Sequence, residues 1–316
     1  MKLDSAECIL TVTLSPALDQ TVTIPRFYEG KTYASTGQVL AAGGKGVNVS
    51  RALHNLKLKT CALGLLGGSA GETFRRLLVR ERITHDFVSV KGETRTNLTI
   101  VDPQSRSRTR IVEAGPKVSR AEIQRFKKVY KTWLKRSCFV VLSGRNAYGA
   151  PDALYADLID LAKRENVPSI LDTSGLSLKT GLKAKPFMIK LNAEEAQEIL
   201  GFRLDTLPRL KKGVGQFHRL GVGMVVISMN RDGAVGSVHG EMWYGRPPKI
   251  RVKNDVGCGD ALIGGFLYAY LCRRPFREVI RCAVAAGTAS ALTLTPGNIC
   301  REDFNKFLKT VSVQRL

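Results

Sequence analysis

Asn254-Asp255-Val256-Gly257-Cys258-Gly259-Asp260, running straight into the apolar stretch Ala261 to Leu271, is the segment that decides how this chain is read. Glycines on either side of one residue let backbone N–H groups converge where a helix begins, and the helix dipole adds positive partial charge there. Such a start is an anion hole. An aspartate just after the turn lies within hydrogen-bond reach of a substrate hydroxyl, so one loop supplies both a base and stabilisation for a transferred phosphoryl group. Asp260 is the candidate catalytic base, and Gly257, Cys258 and Gly259 are the candidate anion hole. Taken alone the pattern also describes an ordinary helix start, because Asp is a favoured N-cap and Gly is common before helices.

More than two hundred residues earlier, Gly43-Gly44-Lys45-Gly46-Val47-Asn48 follows the apolar run Val39 to Ala42. It precedes apolar positions Val47, Ala52, Leu53 and Leu56 at roughly helical spacing. A second anion-ready helix start makes an accidental match harder to sustain. Between the two motifs, short apolar runs read as strands: Ile9 to Leu14, Ala62 to Leu66, Phe139 to Ser143, Ser169 to Asp172, Phe187 to Leu191 and Val225 to Ser228. Amphipathic helices separate the later ones. This alternation predicts an α/β fold with a doubly wound, mostly parallel sheet and ligands at the carboxyl ends of its strands. Gln20 to Gln38 and Thr94 to Glu113 break the rhythm by alternating polar with β-branched residues, as antiparallel strands exposed on one face do, and are read as a small β lid. From Asp260 onward the chain reads as mostly helical.

The chain has 316 residues, 44% of them hydrophobic, enough for one large α/β core. No repeat or low-complexity linker marks a second domain, so residues 1–316 are expected to form a single domain with its lid. No apolar run reaches the ~20 residues needed to span a bilayer, and Met1-Lys2-Leu3-Asp4-Ser5-Ala6-Glu7 lacks the apolar core of a signal peptide. A cytoplasmic protein with no membrane partner is expected. Seven cysteines without a Cys-x-x-Cys pair suggest neither zinc nor disulfides. The net charge of +22 raises the question of nucleic acid, but the basic residues are spread along the chain without a recognisable module. A solvated surface or steering of anionic substrates accounts for the charge, and no nucleic-acid partner is expected.

Both glycine motifs, in this order and at this separation, resemble those of the ribokinase-like sugar kinases, also called the PfkB family. The resemblance covers nearly the whole chain. The opening Thr11-Val12-Thr13-Leu14-Ser15-Pro16-Ala17-Leu18-Asp19 looks like the branch that acts on phosphorylated ketohexoses, which contains 1-phosphofructokinase, tagatose-6-phosphate kinase and the minor 6-phosphofructokinase. The resemblance implies a ribokinase-like fold and ATP- and Mg²⁺-dependent phosphorylation of a ketohexose phosphate to the bisphosphate. Within the branch 1-phosphofructokinase is the preferred expectation, with the other two as alternatives. A phosphometabolite-binding protein that lost activity is the alternative of another class.

The resemblance also implies a site. Asp19, Gly43, Gly44 and Asn48 match sugar-contacting positions. A phosphorylated acceptor requires a second anion site, for which Lys31, Lys45, Arg95 and Ser143 are candidates; Arg95 lies in Thr94-Arg95-Thr96-Asn97, and a guanidinium grips phosphate through two parallel hydrogen bonds. Lys45 serves equally to neutralise the transferred group or to face solvent. Lys31 is either an exposed basic residue or, in Glu29-Gly30-Lys31, the lid segment that reaches a neighbouring subunit's site, in line with a homodimer through the lid. On the nucleotide side stand Lys190 and Asn192 of Lys190-Leu191-Asn192-Ala193-Glu194-Glu195, with Ser228 and Gly233 of the loop after a later strand and Gly257 and Gly259 again. Glu195 is either a helper of Mg²⁺ through water or a helix-start carboxylate. Three departures from the family pattern stand out: Asp255 for Thr, Cys258 for Ala, and Arg145 in the loop after Ser143-Gly144.

Overall fold

The computed structural model of the protein describes residues 8–316. The large sheet opens with β1 (Cys8–Thr13). The chain leaves it for β2 (Ala17–Thr23) and β3 (Gly37–Gly43), and returns through α1 (Lys45–Asn55), β4 (Thr60–Leu66), α2 (Gly68–Arg80) and the two-residue β5 (Val88–Ser89). A second excursion forms β6 (Thr96–Asp102) and β7 (Ser107–Val112). Then follow α3 (Arg120–Leu134), β8 (Ser137–Ser143), α4 (Leu154–Arg164), β9 (Ser169–Asp172), α5 (Gly175–Lys183), β10 (Met188–Asn192), α6 (Ala193–Leu200), α7 (Leu207–Arg219) and β11 (Met224–Ser228). The chain closes with the hairpin of β12 (Ala234–Val238) and β13 (Glu241–Arg246), helices α8 (Cys258–Leu271), α9 (Phe276–Ser290) and α10 (Arg301–Thr310), and β14 (Ser312–Arg315).

The large sheet has ten strands in the order β14-β13-β12-β11-β10-β9-β8-β1-β4-β5. From β11 to β5 every pairing is parallel, and from β11 to β14 every pairing is antiparallel. Period-two alternation feeds two cores. Leu10, Val12, Val140, Leu142, Val225 and Ile227 point to the face covered by α3 to α7. Ile9, Phe139, Val141, Met224 and Val226 point to the opposite face, under α1, α8, α9 and α10. Side chains buried on both faces leave strands that read as continuous apolar runs, which is why the sequence announces them so clearly. Helix α8 is itself wedged between α1 and α9 and buries Ala261, Ile263, Phe266 and Leu267 together, so it carries no polar stripe. The fold is the mostly parallel α/β architecture flanked by helices, with a smaller sheet, that the sequence predicts.

The smaller sheet has the order β3-β2-β6-β7. Its central pair, β2 and β6, runs parallel, and the two outer pairings are antiparallel. Two details depart from expectation. Residues 24–36 carry no strand, because Pro25 cannot donate to a ladder and Arg26 turns to φ 57°. The amides of Arg26 and Phe27 instead donate to the Asp102 carboxylate at 3.1 and 3.2 Å. The mostly helical C-terminal part ends in β14, which pairs with β13 and adds an edge strand to the large sheet.

Candidate active site

The start of α8 depends on its glycines. Gly257 sits at φ 83°, and a Cβ there would lie 2.4 Å from the Gly297 nitrogen. A Cβ at Gly259 would lie 2.7 Å from Lys190 Nζ. The Ala261 N–H donates to Gly257 O at 2.9 Å, and the amides before it have no intrahelical acceptor. Asp260, 3% exposed, belongs to this turn. Its Oδ2 accepts from Asn48 Nδ2 at 2.8 Å, a bond that joins the two sequence motifs across the molecule. The Asn48 amide is held in turn: its Oδ1 accepts from Arg51 Nη1 at 2.9 Å, leaving Nδ2 to face the carboxylate. Buried Arg51 also donates to Ala42 O, Pro296 O and both oxygens of Glu81. Sequence reasoning missed Arg51, since one arginine among helix residues gives no signal of burial.

The larger omission is Asp172. It ends β9 with its side chain wholly buried, beside Ser143 at the end of β8. Lys45 Nζ donates to its Oδ1 at 3.0 Å, Lys190 Nζ lies 3.5 Å from the same oxygen, and Ser143 Oγ donates to Oδ2 at 3.0 Å. Burial opposes the Asp172 charge, but Lys190, Lys45 and the hydrogen bonds win and hold its carboxyl below the ordinary carboxylate range. Asp260 shifts the other way. Burial, then repulsion from Asp172, pushes it up to about 6 against the pull of Lys45, Lys190 and Asn48. Lys45 is held above its ordinary value: burial works against its charge, and Asp172, Asp260 and Glu195 outweigh burial. Cys258 is pushed up to about 12 by burial first and by Asp255 and Asp260 next, so at neutral pH it is an inert thiol.

The small sheet presents a second group. Asp19 and Asn97 face each other in register across β2 and β6, and Asn97 Nδ2 donates to Asp19 Oδ1 at 2.7 Å. Gly43 packs under the same carboxylate: a Cβ on it would fall 2.0 Å from Asp19 Oδ2. Gly44 sits at φ 123° against Thr13, whose Cγ2 would lie 2.6 Å from a Cβ there. Arg95 donates to Ser15 O at 3.0 Å and Asn97 Oδ1 at 3.3 Å, which turns its guanidinium toward this group. Burial and then the charge of Arg145 lower its proton affinity, with Asp19 opposing. Arg145 itself is exposed. Asp19, Gly43, Gly44, Asn48, Lys45 and Arg95 thus line the region between the small sheet and α8. Two candidates behave differently. The Ser143 hydroxyl is buried and engaged by Asp172. Lys31 lies in the 24–36 segment with its ammonium 5.5 Å from the Tyr28 ring centroid, and no hydrogen bond or ion pair ties it to the Asp19 group.

At the ends of β10 and β11, Asn192 and Ser228 are in register. Asn192 caps α6, accepting from Glu195 N–H at 2.7 Å, while Glu195 Oε2 accepts from Asn192 N–H at 2.8 Å. Glu195 Oε1 remains directed to the cleft, 3.9 Å from Lys45 Nζ. Ser228 Oγ donates to Leu191 O at 3.3 Å. Gly233, at φ 99°, would place a Cβ 2.0 Å from Gly245 O. Among the described residues no group of three His, Cys, Asp or Glu side chains gathers as a metal cage. A single carboxylate oxygen, paired only loosely with Lys45, suits an ion that is carried by phosphate oxygens and water.

The chain belongs to the pfkB family of carbohydrate kinases, whose family profile matches residues 13–302. It is 32% identical over 312 residues to a 1-phosphofructokinase of Bacillus subtilis, covering 98% of this chain and 100% of that one. It is 30% identical over 308 residues to a tagatose-6-phosphate kinase of Staphylococcus epidermidis, covering 96% and 99%. Among solved structures, phosphofructokinase-2 from Escherichia coli in complex with potassium superposes with a TM-score of 0.91 at 26% identity, covering 96% of this chain and 99% of that one. No helix among the described residues is long and apolar enough to cross a membrane.

Proposed function

We propose that this protein transfers the γ-phosphoryl group of ATP to a hydroxymethyl group of a ketohexose phosphate, with fructose-1-phosphate the preferred acceptor. The observation that carries the proposal is the buried Asp260 carboxylate, oriented by Asn48 at a helix start whose amides lack intrahelical acceptors. Asp260 takes the proton of the acceptor hydroxyl as its oxygen forms the new bond to phosphorus. The bond from phosphorus to the β,γ-bridging oxygen breaks, ADP leaves, and the Asp260 proton passes to solvent. The amides of Cys258 and Gly259 and the ammonium groups of Lys45 and Lys190 meet the charge on the transferred group. Mg²⁺, when bound, neutralises phosphate charge, and Glu195 Oε1 would hold it through water. Asp19 and Asn97, above Gly43 and Gly44, orient the sugar hydroxyls, and Arg95 grips the phosphate already on the sugar. Lys190, Asn192, Ser228 and Gly233 border the nucleotide.

The full-length similarity to both a 1-phosphofructokinase and a tagatose-6-phosphate kinase supports a phosphorylated ketohexose. ATP consumption with Mg²⁺, measured in parallel on fructose-1-phosphate, tagatose-6-phosphate, fructose-6-phosphate and fructose, tests the proposal. Preference for fructose-1-phosphate is the expected result; preference for another ester reassigns the acceptor, and turnover of fructose alone or of none rejects the reading. The small sheet acts as the lid of one kinase domain and as the surface of a cytoplasmic homodimer. Exposed Val39, Leu40, Ile111 and Val112 on its outer strands support pairing, and sedimentation of the purified protein as a monomer rejects it.

A further inference from the structure

Asp255, whose added carboxylate threatens the anion hole if it points inward, points outward. It is 84% exposed, and its Oδ1 lies 3.6 Å from Arg108 Nη1. Arg108 belongs to β7, opposite Val101 of β6. The same guanidinium donates to Asn254 Oδ1 at 3.3 Å and, through Nη2, to Lys253 O. Three acceptors on three consecutive residues therefore meet one arginine of the other sheet. On its far side the 253–256 turn is tied to the end of α9. Lys253 and Asn254 N–H donate to Ala291 O at 2.8 and 3.2 Å, and Asn254 Nδ2 donates to Leu294 O at 2.8 Å. Asn254 Oδ1 also accepts the Val256 N–H at 3.2 Å, so Arg108 grips the atom that shapes the turn into Gly257.

We infer that Arg108 is a positioning residue for the phosphoryl-transfer loop, and that with Asp255 it couples the seating of the small sheet on the acceptor to the ordering of the Gly257 turn. Strand β7 pairs with β6, which carries Asn97 to Asp19, so the two ends of the coupling are the acceptor group and the anion hole. An exposed ion pair contributes little by itself. Its geometric effect is larger, because a planar guanidinium with three partners fixes the turn's orientation as well as its charge.

The inference rests on the kinase reading, and its test separates the two. Arg108→Ala, Asp255→Asn and the double variant are compared in the full chain by hydrogen–deuterium exchange and by steady-state kinetics. Arg108→Ala is expected to raise exchange at Val256 to Gly259 and to lower kcat roughly tenfold, the effect of losing charge-assisted hydrogen bonds that hold a catalytic loop. Adding Asp255→Asn to Arg108→Ala is expected to change neither readout further, because both substitutions remove one shared interaction. Unchanged exchange at those amides, effects that add, or increased exchange spread evenly over the small sheet each overturns the inference. A wild-type chain that phosphorylates no ketohexose phosphate defeats the kinase reading, while the exchange data still decide the coupling.

Discussion

Gly43→Ala is the sharpest test of the acceptor site, because its steric consequence can be followed atom by atom. The new Cβ would fall 2.0 Å from Asp19 Oδ2, 2.5 Å from Asp19 Cγ and 3.0 Å from Ala17 O. Ala17 and Gly43 are partners in the β2–β3 ladder, so the backbone has little freedom to retreat. The Asp19 side chain must swing away instead, and its 2.7 Å hydrogen bond from Asn97 breaks. A hydrogen bond to a charged group contributes about 1.5–3 kcal/mol, which corresponds to roughly 10- to 150-fold in kcat/KM for the sugar phosphate if that carboxylate orients it. The ATP KM should stay near its wild-type value, since the nucleotide side is untouched. Initial rates over a grid of both substrates separate the two. A kcat/KM for the sugar phosphate within about twofold of wild type, or an equal loss on the ATP side, refutes the placement of Asp19 against the acceptor.

Asp260→Asn should nearly abolish turnover while nucleotide binding measured by calorimetry persists; substantial turnover removes Asp260 from the role of base. In the wild-type protein Asp260 must lose its proton to act, and its ionisation is pushed up to about 6 by burial and by Asp172. The kcat/KM profile should therefore be flat above that pH and fall as pH drops through it, and a profile flat well into the acid range contradicts the assignment. Lys45→Met removes a cation that favours the Asp260 carboxylate, so any residual activity should show its acid limb at higher pH; an unmoved limb rejects the electrostatic coupling. Arg51→Met leaves Glu81, Asn48 and two carbonyl oxygens without their shared donor and should lower unfolding free energy by about 3–5 kcal/mol in a denaturant titration, with a loss below about 1 kcal/mol counting against it.

The fold was legible where physics is local. Parallel strands buried on both faces read as apolar runs, and the α8 start reads as a glycine turn because Gly257, at φ 83°, meets the Pro296–Gly297 backbone where a side chain would stand. The hairpin of β12 and β13 carries no plain sequence signal, since its turn is His239-Gly240, with both residues at positive φ, and lacks the usual Asn-Gly or Asp-Gly pair. Asp172 was invisible for another reason. Its partners Lys45, Ser143 and Lys190 come from three separate places in the chain and meet only when strand ends align. The signal available was positional: a polar residue at the carboxyl end of each adjacent parallel strand, Ser143 and Asp172, points into one site. The Ser143-Gly144 motif singles out Ser143, yet its hydroxyl serves Asp172, a pairing that a one-dimensional pattern does not contain.

The bond between Asn48 and Asp260 spans 212 positions of the chain, and the Arg51 bond to Pro296 spans 245. Closing so long a loop is only logarithmically harder than closing a short one, but it cannot precede the emergence of the distal segment during synthesis. The first motif therefore waits, with its helix and strands available to fold, for a partner made near the end of translation. Catalytic competence becomes a report on completed assembly, and in refolding it should return after the helical signal has recovered. A chain cut short before α8 carries Asp19, Asn48 and Asn97 but lacks Asp260, the proposed base.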